Sequence, residues 1–255
     1  MKIMKKIIYI LLPLLSVATI VLAWVLVAAP EESQMPGLAE TGAKFIDVMT
    51  NKISGATLPI HILVSLRRVL MAVALAMVTG VVFGVLIGWS KLFKSLAYPI
   101  FEIIRPIPPI AWLPIIILSM GIGESPKIAI VFISAFMPIV INTFAGMRMI
   151  DPSLFDAAKT LGANKRQLFF NIAIPACTPA IVAGMKTSVS NGWMTVLAAE
   201  MIVARQGVGF LIVRGMQNGD PALIVVCMFA IGIVSALVSV GLTKIEGVLT
   251  KWKNA

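Results

Sequence analysis

Charge is what this sequence has least of. Only 13% of its 255 residues are Asp, Glu, Lys or Arg and 59% are hydrophobic, with a mean hydropathy of +1.00, whereas soluble domains carry about 25% charge. That shortage excludes an ordinary soluble domain and places the chain in the membrane class. Histidine occurs once, as His61, so no H-E-x-x-H metal motif can form. A G-x-S-x-G elbow and paired aspartates at span depth are also missing, which removes the groups an intramembrane hydrolase would need. No G-x-x-x-x-G-K-[ST] loop is present, so the chain has no phosphate cradle for ATP. Cysteine occurs twice, as Cys177 and Cys227 in or beside apolar runs; they read as small buried hydrophobes, with neither a disulfide framework nor a metal site. The lone His61, near a helix start, reads as structural. The net charge is +10, yet the basic residues are scattered between apolar runs and form no stripe, which argues against nucleic acid.

What the chain has is long apolar runs. A bilayer crossing needs about 20 residues, and six stretches qualify: 7–29, 69–89, 99–120, 128–147, 178–203 and 222–242. The first is longer than the 7–15 residues, roughly, of a signal-peptide core, so a retained span is expected. Gly80, Gly84 and Gly88 recur every fourth residue in the second; this spacing fits either a smooth face for another helix or tolerated lipid-facing glycine. The third carries RPIPP at 105–109 and Pro114. It is expected to be kinked, with irregular backbone that is tolerated at membrane depth only inside protein or beside a cavity.

Six spans put both termini on one side. With the N-terminus inside, Lys2, Lys5, Lys6, Lys91, Lys94, Arg148, Lys159, Lys165, Arg166, Lys244, Lys251 and Lys253 fall inside, and only Lys44, Lys52, Lys127, Arg205 and Arg214 outside. The positive-inside rule therefore favours N-in, C-in. Arg67, Arg68, Arg105 and Lys186 stay unassigned by this test, and the acidic residues lean outward, Glu31 and Glu32 among them. The organisation expected is an N-terminal span (1–30), an outer loop (31–66) and a core (67–250) containing an inner loop (148–175). In the outer loop Phe45, Val48, Met49 and Ile53 have helical spacing, which predicts a short amphipathic helix on the membrane face.

The inner loop reads FDAAKTLGANKRQLFFNIAIP over 155–175. Asp151 suits a helix N-cap, Pro152 the first turn and Gly162 the left-handed residue past the end. This predicts a helix over 152–161, about 15 Å long, and a second helical segment from Asn164. Leu154, Ala158 and Leu161 share one face, with Phe155 beside them and Asp156 and Lys159 opposite. Such a helix either lies on lipid or fits a groove on a cytoplasmic partner. Its small residues, Ala157 and Ala158, favour the partner.

The same residues carry a resemblance. Asp156-Ala157-Ala158, Gly162 four residues on, nine residues more and then Ile172-Ala173-Ile174-Pro175 resemble the EAA loop of ABC importer permeases, E-A-A-x-x-x-G-x9-I-x-L-P, with Asp for Glu and Ile for Leu. The segments RPIPPIAWLPIIILSMGIGESPKI (105–128) and GWMTVLAAEMIVARQGVGFLI (192–212) resemble the nitrate, sulfonate, taurine and bicarbonate branch. The resemblance covers 65–249. It implies an all-α type I importer permease of about six transmembrane helices in a bacterial inner membrane, itself no enzyme and without a cofactor of its own. ATP and Mg would be bound by a separate ABC ATPase subunit, present in two copies. A second permease chain, most simply an identical one, and an extracytoplasmic substrate-binding protein would complete the complex. Leu154, Phe155, Asp156, Ala157, Ala158, Leu161 and Gly162 would form the ATPase-coupling site. The branch implies a small anionic solute, with an uncharged or heterocyclic vitamin precursor as the alternative.

Ionisable residues inside spans are functional candidates, because each costs at least about 2.5 kcal/mol at mid-bilayer. Glu102 and Arg105 are three apart and either pair on one turn or leave Arg105 to meet an anion. Lys186, Trp193 and Glu200 recur every seven residues, with Ser190 and Asn191 between them. They either line a polar route or divide into a snorkelling lysine and a structurally bonded glutamate. An importer type with two Ala-Arg-Gly-like coupling helices in one loop would need motifs that are absent here. A self-standing channel or secondary transporter would be expected to show inverted repeats, and none is visible.

Overall fold

The computed structural model describes residues 2–30 and 33–249. Among the topological markers above, Glu31, Glu32, Lys251 and Lys253 lie outside the described residues. The described chain is helical throughout apart from short connections and one isolated bridge between Ile53 and Ala56. In chain order the helices are α1 (Lys2–Ala28), α2 (Leu38–Thr50), α3 (Leu58–Trp89), α4 (Lys91–Ile104), α5 (Leu113–Met120), α6 (Glu124–Arg148), α7 (Pro152–Thr160), α8 (Lys165–Gln167), α9 (Ile174–Val203), α10 (Val208–Asn218) and α11 (Pro221–Leu249). A 3-10 turn (Pro109–Trp112) precedes α5, and a π-helical turn (Leu168–Ala173) joins α8 to α9.

Among the described residues four helices are long and apolar enough to cross a membrane: α3, α6, the unit Lys165–Val203 and α11. The expected kinked third span is α4 followed by the 3-10 turn and α5, with a 90° bend. The bend falls at RPIPP, where the prolines remove backbone donors and disfavour helix at the residues before them. Helix α1 packs beside α11, with the Trp24 ring stacked on Phe229 and its Nε1–H donating to the Pro36 carbonyl.

Helix α6 is the centre of the bundle, flanked by α3 and α9. The Gly80, Gly84 and Gly88 face turns out to be the α3–α6 contact. A Cβ on any of the three would come within 3.0 Å of Ile139, Thr143 or Met147 respectively, so the missing side chains let two spans approach closely. The main core combines Val69, Val73 and Ala76 of α3, Ile130, Val131 and Ile139 of α6, and Val189, Trp193 and Val196 of α9. Polar side chains pin the packing. Ser188 Oγ donates to the Ala135 carbonyl at 2.7 Å, and Ser134 Oγ accepts from Thr195 while donating to the Asn191 carbonyl. Cys177 and Cys227 are both buried, as small hydrophobes should be.

Two boundaries differ from the sequence reading. Helix α3 begins at Leu58, well inside the stretch read as outer loop, because Pro59 occupies its first turn and His61, Ser65 and Arg68 are all buried in it. The amphipathic helix of that stretch is α2, which buries Val48 against α11. Ile53 lies beyond it, in the bridge with Ala56.

Candidate functional site

Helix α7 projects from the end of the bundle where α3 and α6 finish and α9 starts. Asp151 caps it by accepting the Ser153 N–H at 2.9 Å. That bond and the Ser153 hydroxyl hold the Asp151 carboxyl below its ordinary range. At the other end Gly162 has φ +81°, its N–H donates to Lys159 O, and the Ala163 N–H donates to Ala158 O. This is the paired C-terminal bonding of a Schellman motif, which requires a left-handed residue at the Gly162 position. Asn164 and Gln167 then cap α8 reciprocally. Within α7, Phe155 turns inward and packs on Trp89 at 6.1 Å between ring centroids, while Trp89 also meets Phe169 at 5.0 Å. Leu154, Asp156 and Ala157 face out, Ala158 is half-buried, and Leu161 is 88% exposed. Asp156 pairs with Lys159 at 2.9 Å. The result is a short helix fixed to the bundle through one aromatic residue, with an exposed apolar tip.

The candidates at membrane depth do not share one face. Trp193 is in the core at 3% exposure and Glu200 is 1% exposed. The seven-residue spacing therefore does not make them surface lining; both point into the helix packing. Ser190 is exposed, its hydroxyl on the Lys186 carbonyl of its own helix, and Lys186 is half-buried. Arg105 sits at the break between α4 and the 3-10 turn and pairs with Glu102 at 3.0 Å. It also borders a cavity of about 480 Å³ whose polar lining comes from Ser134, Asn142, Thr187, Asn191 and Thr195. A cation at a broken span beside hydroxyl and amide groups can hold a small solute without closing around it.

Sequence reasoning singled out Glu200 but missed the bonded polar cluster around it. At the end opposite α7, the Arg68 guanidinium donates to both carboxylate oxygens of Glu124 (2.7 and 2.6 Å), to the Gln206 carbonyl (2.8 Å) and to Glu200. Lys127, itself buried, also reaches Glu124 at 2.7 Å. Glu200 accepts from Ser65 and from the Gly209 N–H. His61 Nδ1 accepts the Gly207 N–H at 3.1 Å, so Nε2 carries the proton toward the Ile53 carbonyl. The loop after α9 is thereby fastened to α3 and α6. A Cβ on Gly207 would overlap the Glu200 carboxylate, and one on Gly209 would strike the Leu197 carbonyl. The signal was in the quoted segment 192–212, where Glu200 precedes Gly207-Val208-Gly209, but its partners lie more than 130 residues earlier.

This architecture is shared with known transporters. The chain is 33% identical to the nitrate import permease protein NrtB of Synechocystis over 230 residues, 88% of this chain and 84% of that one. It is 32% identical to the taurine transport system permease protein TauC of Escherichia coli, over 77% of this chain and 72% of that one. A putative ABC transporter permease protein of Methanocaldococcus jannaschii is 35% identical over 75% of this chain. The fold matches a chain of the inward-facing MetNI methionine ABC transporter with a TM-score of 0.65 at 19% identity, covering 73% of this chain and 93% of that one. The family model for the binding-protein-dependent transport system inner membrane component matches residues 80–252. With these relatives and these spans, the chain belongs to that family and is a multi-pass permease subunit of an ABC importer.

Proposed function

We propose that this permease carries a small anionic solute, delivered by a substrate-binding protein, and that α7 couples the movement to a separate ATPase. The observation that carries the substrate class is Arg105 at the broken span, beside a cavity whose lining mixes apolar side chains with neutral hydroxyl and amide groups. The named substrates of two relatives, nitrate and taurine, both present oxyanion groups. The coupling reading rests on α7: its cap, its left-handed Gly162 and the Phe155–Trp89 contact make a rigid knob that transmits force along α3. Two identical permease chains, each presenting one knob, would meet two ATPase copies in a closed two-fold arrangement.

With α7 on the cytoplasmic side, the Arg68–Glu200 end faces outward, and the domain plan is an N-terminal span, an outer segment with α2, and a core from α3 onward. Gln167, which is exposed, then reports topology. Its cysteine variant should react with a membrane-impermeant maleimide in inverted vesicles and stay unlabelled in intact cells. Labelling from outside would reverse the orientation and detach α7 from any ATPase.

Substrate class is tested at Arg105. Arg105→Gln should lower nitrate uptake by about tenfold or more, the loss of one charge-assisted hydrogen bond of roughly 1.5–3 kcal/mol. Arg105→Lys should retain part of it. Measured in the assembled transporter with each candidate solute, undiminished uptake of nitrate and taurine by Arg105→Gln would sink the anion reading. Selective uptake of an uncharged heterocycle would replace it.

A further inference from the structure

Arg105 borders two cavities. Besides the one above, it lines a second, of about 450 Å³, between α4 and the last turns of α6, with Tyr98, Glu102, Phe144, Ala145 and Arg148. The two share Arg105 and Ile141 in their linings and lie along one face of α6. Ser134, Pro138, Ile141, Ala145 and Arg148 contribute to the lining in turn, spaced alternately four and three residues apart, which keeps them on one stripe. The stripe is about 21 Å long at 1.5 Å per residue, so it runs from mid-span to the end that bears α7. It has hydroxyl and amide groups at its deep end, Arg105 midway and Arg148 at its mouth.

The two arginines are held differently. Arg105 pairs with Glu102 at 3.0 Å. Arg148 has no carboxylate partner among the described residues; its contact is the Phe144 ring, 5.7 Å from the guanidinium carbon, a ring that Lys94 also approaches at 5.6 Å. The guanidinium edge is therefore left to solvent and the cavity, with a second cation on the same ring. A basic residue at the inner end of a span also follows from the positive-inside rule, and that alone would leave it anywhere around the helix. Here it is on the stripe that Arg105 shares.

We infer that Arg148, with Lys94 behind it, forms a second binding station for a small oxyanion, which accepts the solute from the Arg105 cavity and releases it beside α7. This rests on the reading that the route carries an anion. Glu102 lines the second cavity but is paired with Arg105, so Arg148, which has no ion pair of its own among the described residues, is the cation left there to draw the solute inward. Two stations of this kind favour passage over trapping, because neither needs to bind tightly.

The test uses the assembled transporter in phosphatidylcholine nanodiscs, with sodium nitrate and taurine as probes. Ala145 is exposed and lines the second cavity. Ala145→Cys should react at least about threefold faster with an anionic than with a cationic methanethiosulfonate, relative to Gln167→Cys, since a unit charge shifts local ion concentrations by that order. Adding Arg148→Gln should erase the ratio and abolish any slowing by nitrate or taurine. Protection that survives Arg148→Gln overturns the station. If the probes protect Asn191→Cys in the first cavity but never Ala145→Cys, the second station fails and the anion reading stands. If they protect neither, both fall. An anionic lipid headgroup has the same chemistry. Should phosphatidylglycerol in the nanodisc protect Ala145→Cys while the soluble probes do not, the pocket is a lipid site and the inference is lost.

Discussion

Gly162→Val is expected to reduce ATP-dependent uptake about tenfold or more, with the permease still inserted at normal levels. Gly162 has φ +81° and open space around its missing Cβ, so nothing clashes sterically with a new side chain. The penalty lies in the backbone alone. A left-handed conformation costs an L-residue about 1–2 kcal/mol, a factor of about 5–30 in population, and β-branching adds to it. The chain responds by releasing the Schellman bonds to Lys159 and Ala158, and the last turn of α7 loses its direction. Leu161, 88% exposed at the tip, moves with it. Gly162→Asn should retain a measurable fraction of uptake, because asparagine tolerates this region. Ala158→Asp is the independent companion: it leaves the backbone intact and puts a charge beside the apolar tip. Both Gly162→Val and Ala158→Asp should lose co-purification with the ATPase. Full uptake with an intact complex in both would mean that α7 couples to nothing.

The features legible in the sequence are those written in local backbone chemistry. Asp151, Pro152 and Gly162 each constrain their own φ and ψ, so α7 was readable to within a residue of its C-terminus: 152–161 expected, Pro152–Thr160 observed. The prolines of 105–109 announced a broken span for the same reason. Rotational position was not legible. A span apolar on all sides has no amphipathic stripe to mark its inward face, so Lys186, Trp193 and Glu200 could be placed on one line but not on one side. The glycine stripe of α3 was ambiguous for the same reason until Ile139, Thr143 and Met147 were found opposite. Long-range pairing was the other blind spot. Arg68 fell in no span because the apolar run was counted from residue 69. Its partners, Glu124 and Glu200, lie 56 and 132 positions away, beyond any periodicity.

That pairing predicts a large stability effect. Arg68 is 3% exposed and the Glu200 side chain 0%, so neither has water to fall back on. Arg68→Met keeps the length of the side chain and removes every donor. Glu200 is left with Ser65 and the Gly209 N–H as its neutral partners, and the Gln206 carbonyl loses its donor. An uncompensated buried charge of this kind costs about 3–5 kcal/mol, enough to consume much of a protein's total stability of roughly 5–15 kcal/mol. The variant should therefore give little monodisperse protein in detergent, and its unfolding midpoint should fall by many degrees. Adding Glu200→Gln to Arg68→Met removes the orphaned charge and should recover part of that loss, because residues in one bonded network are not additive. A destabilised Arg68→Met with a double variant worse still would mean that packing, not charge pairing, carries the site. An Arg68→Met protein as heat-stable as the parent would mean that the loop after α9 is held by His61, Ser65 and the Glu200–Gly209 bond without it. The expected order, parent above double variant above Arg68→Met, follows from one geometric fact: the cation that satisfies Glu200 also grips Glu124 at the start of α6. Losing it loosens the start of α6, where among the described residues only Lys127 still reaches Glu124, and the loop after α9 in one step, at the end of the bundle farthest from α7.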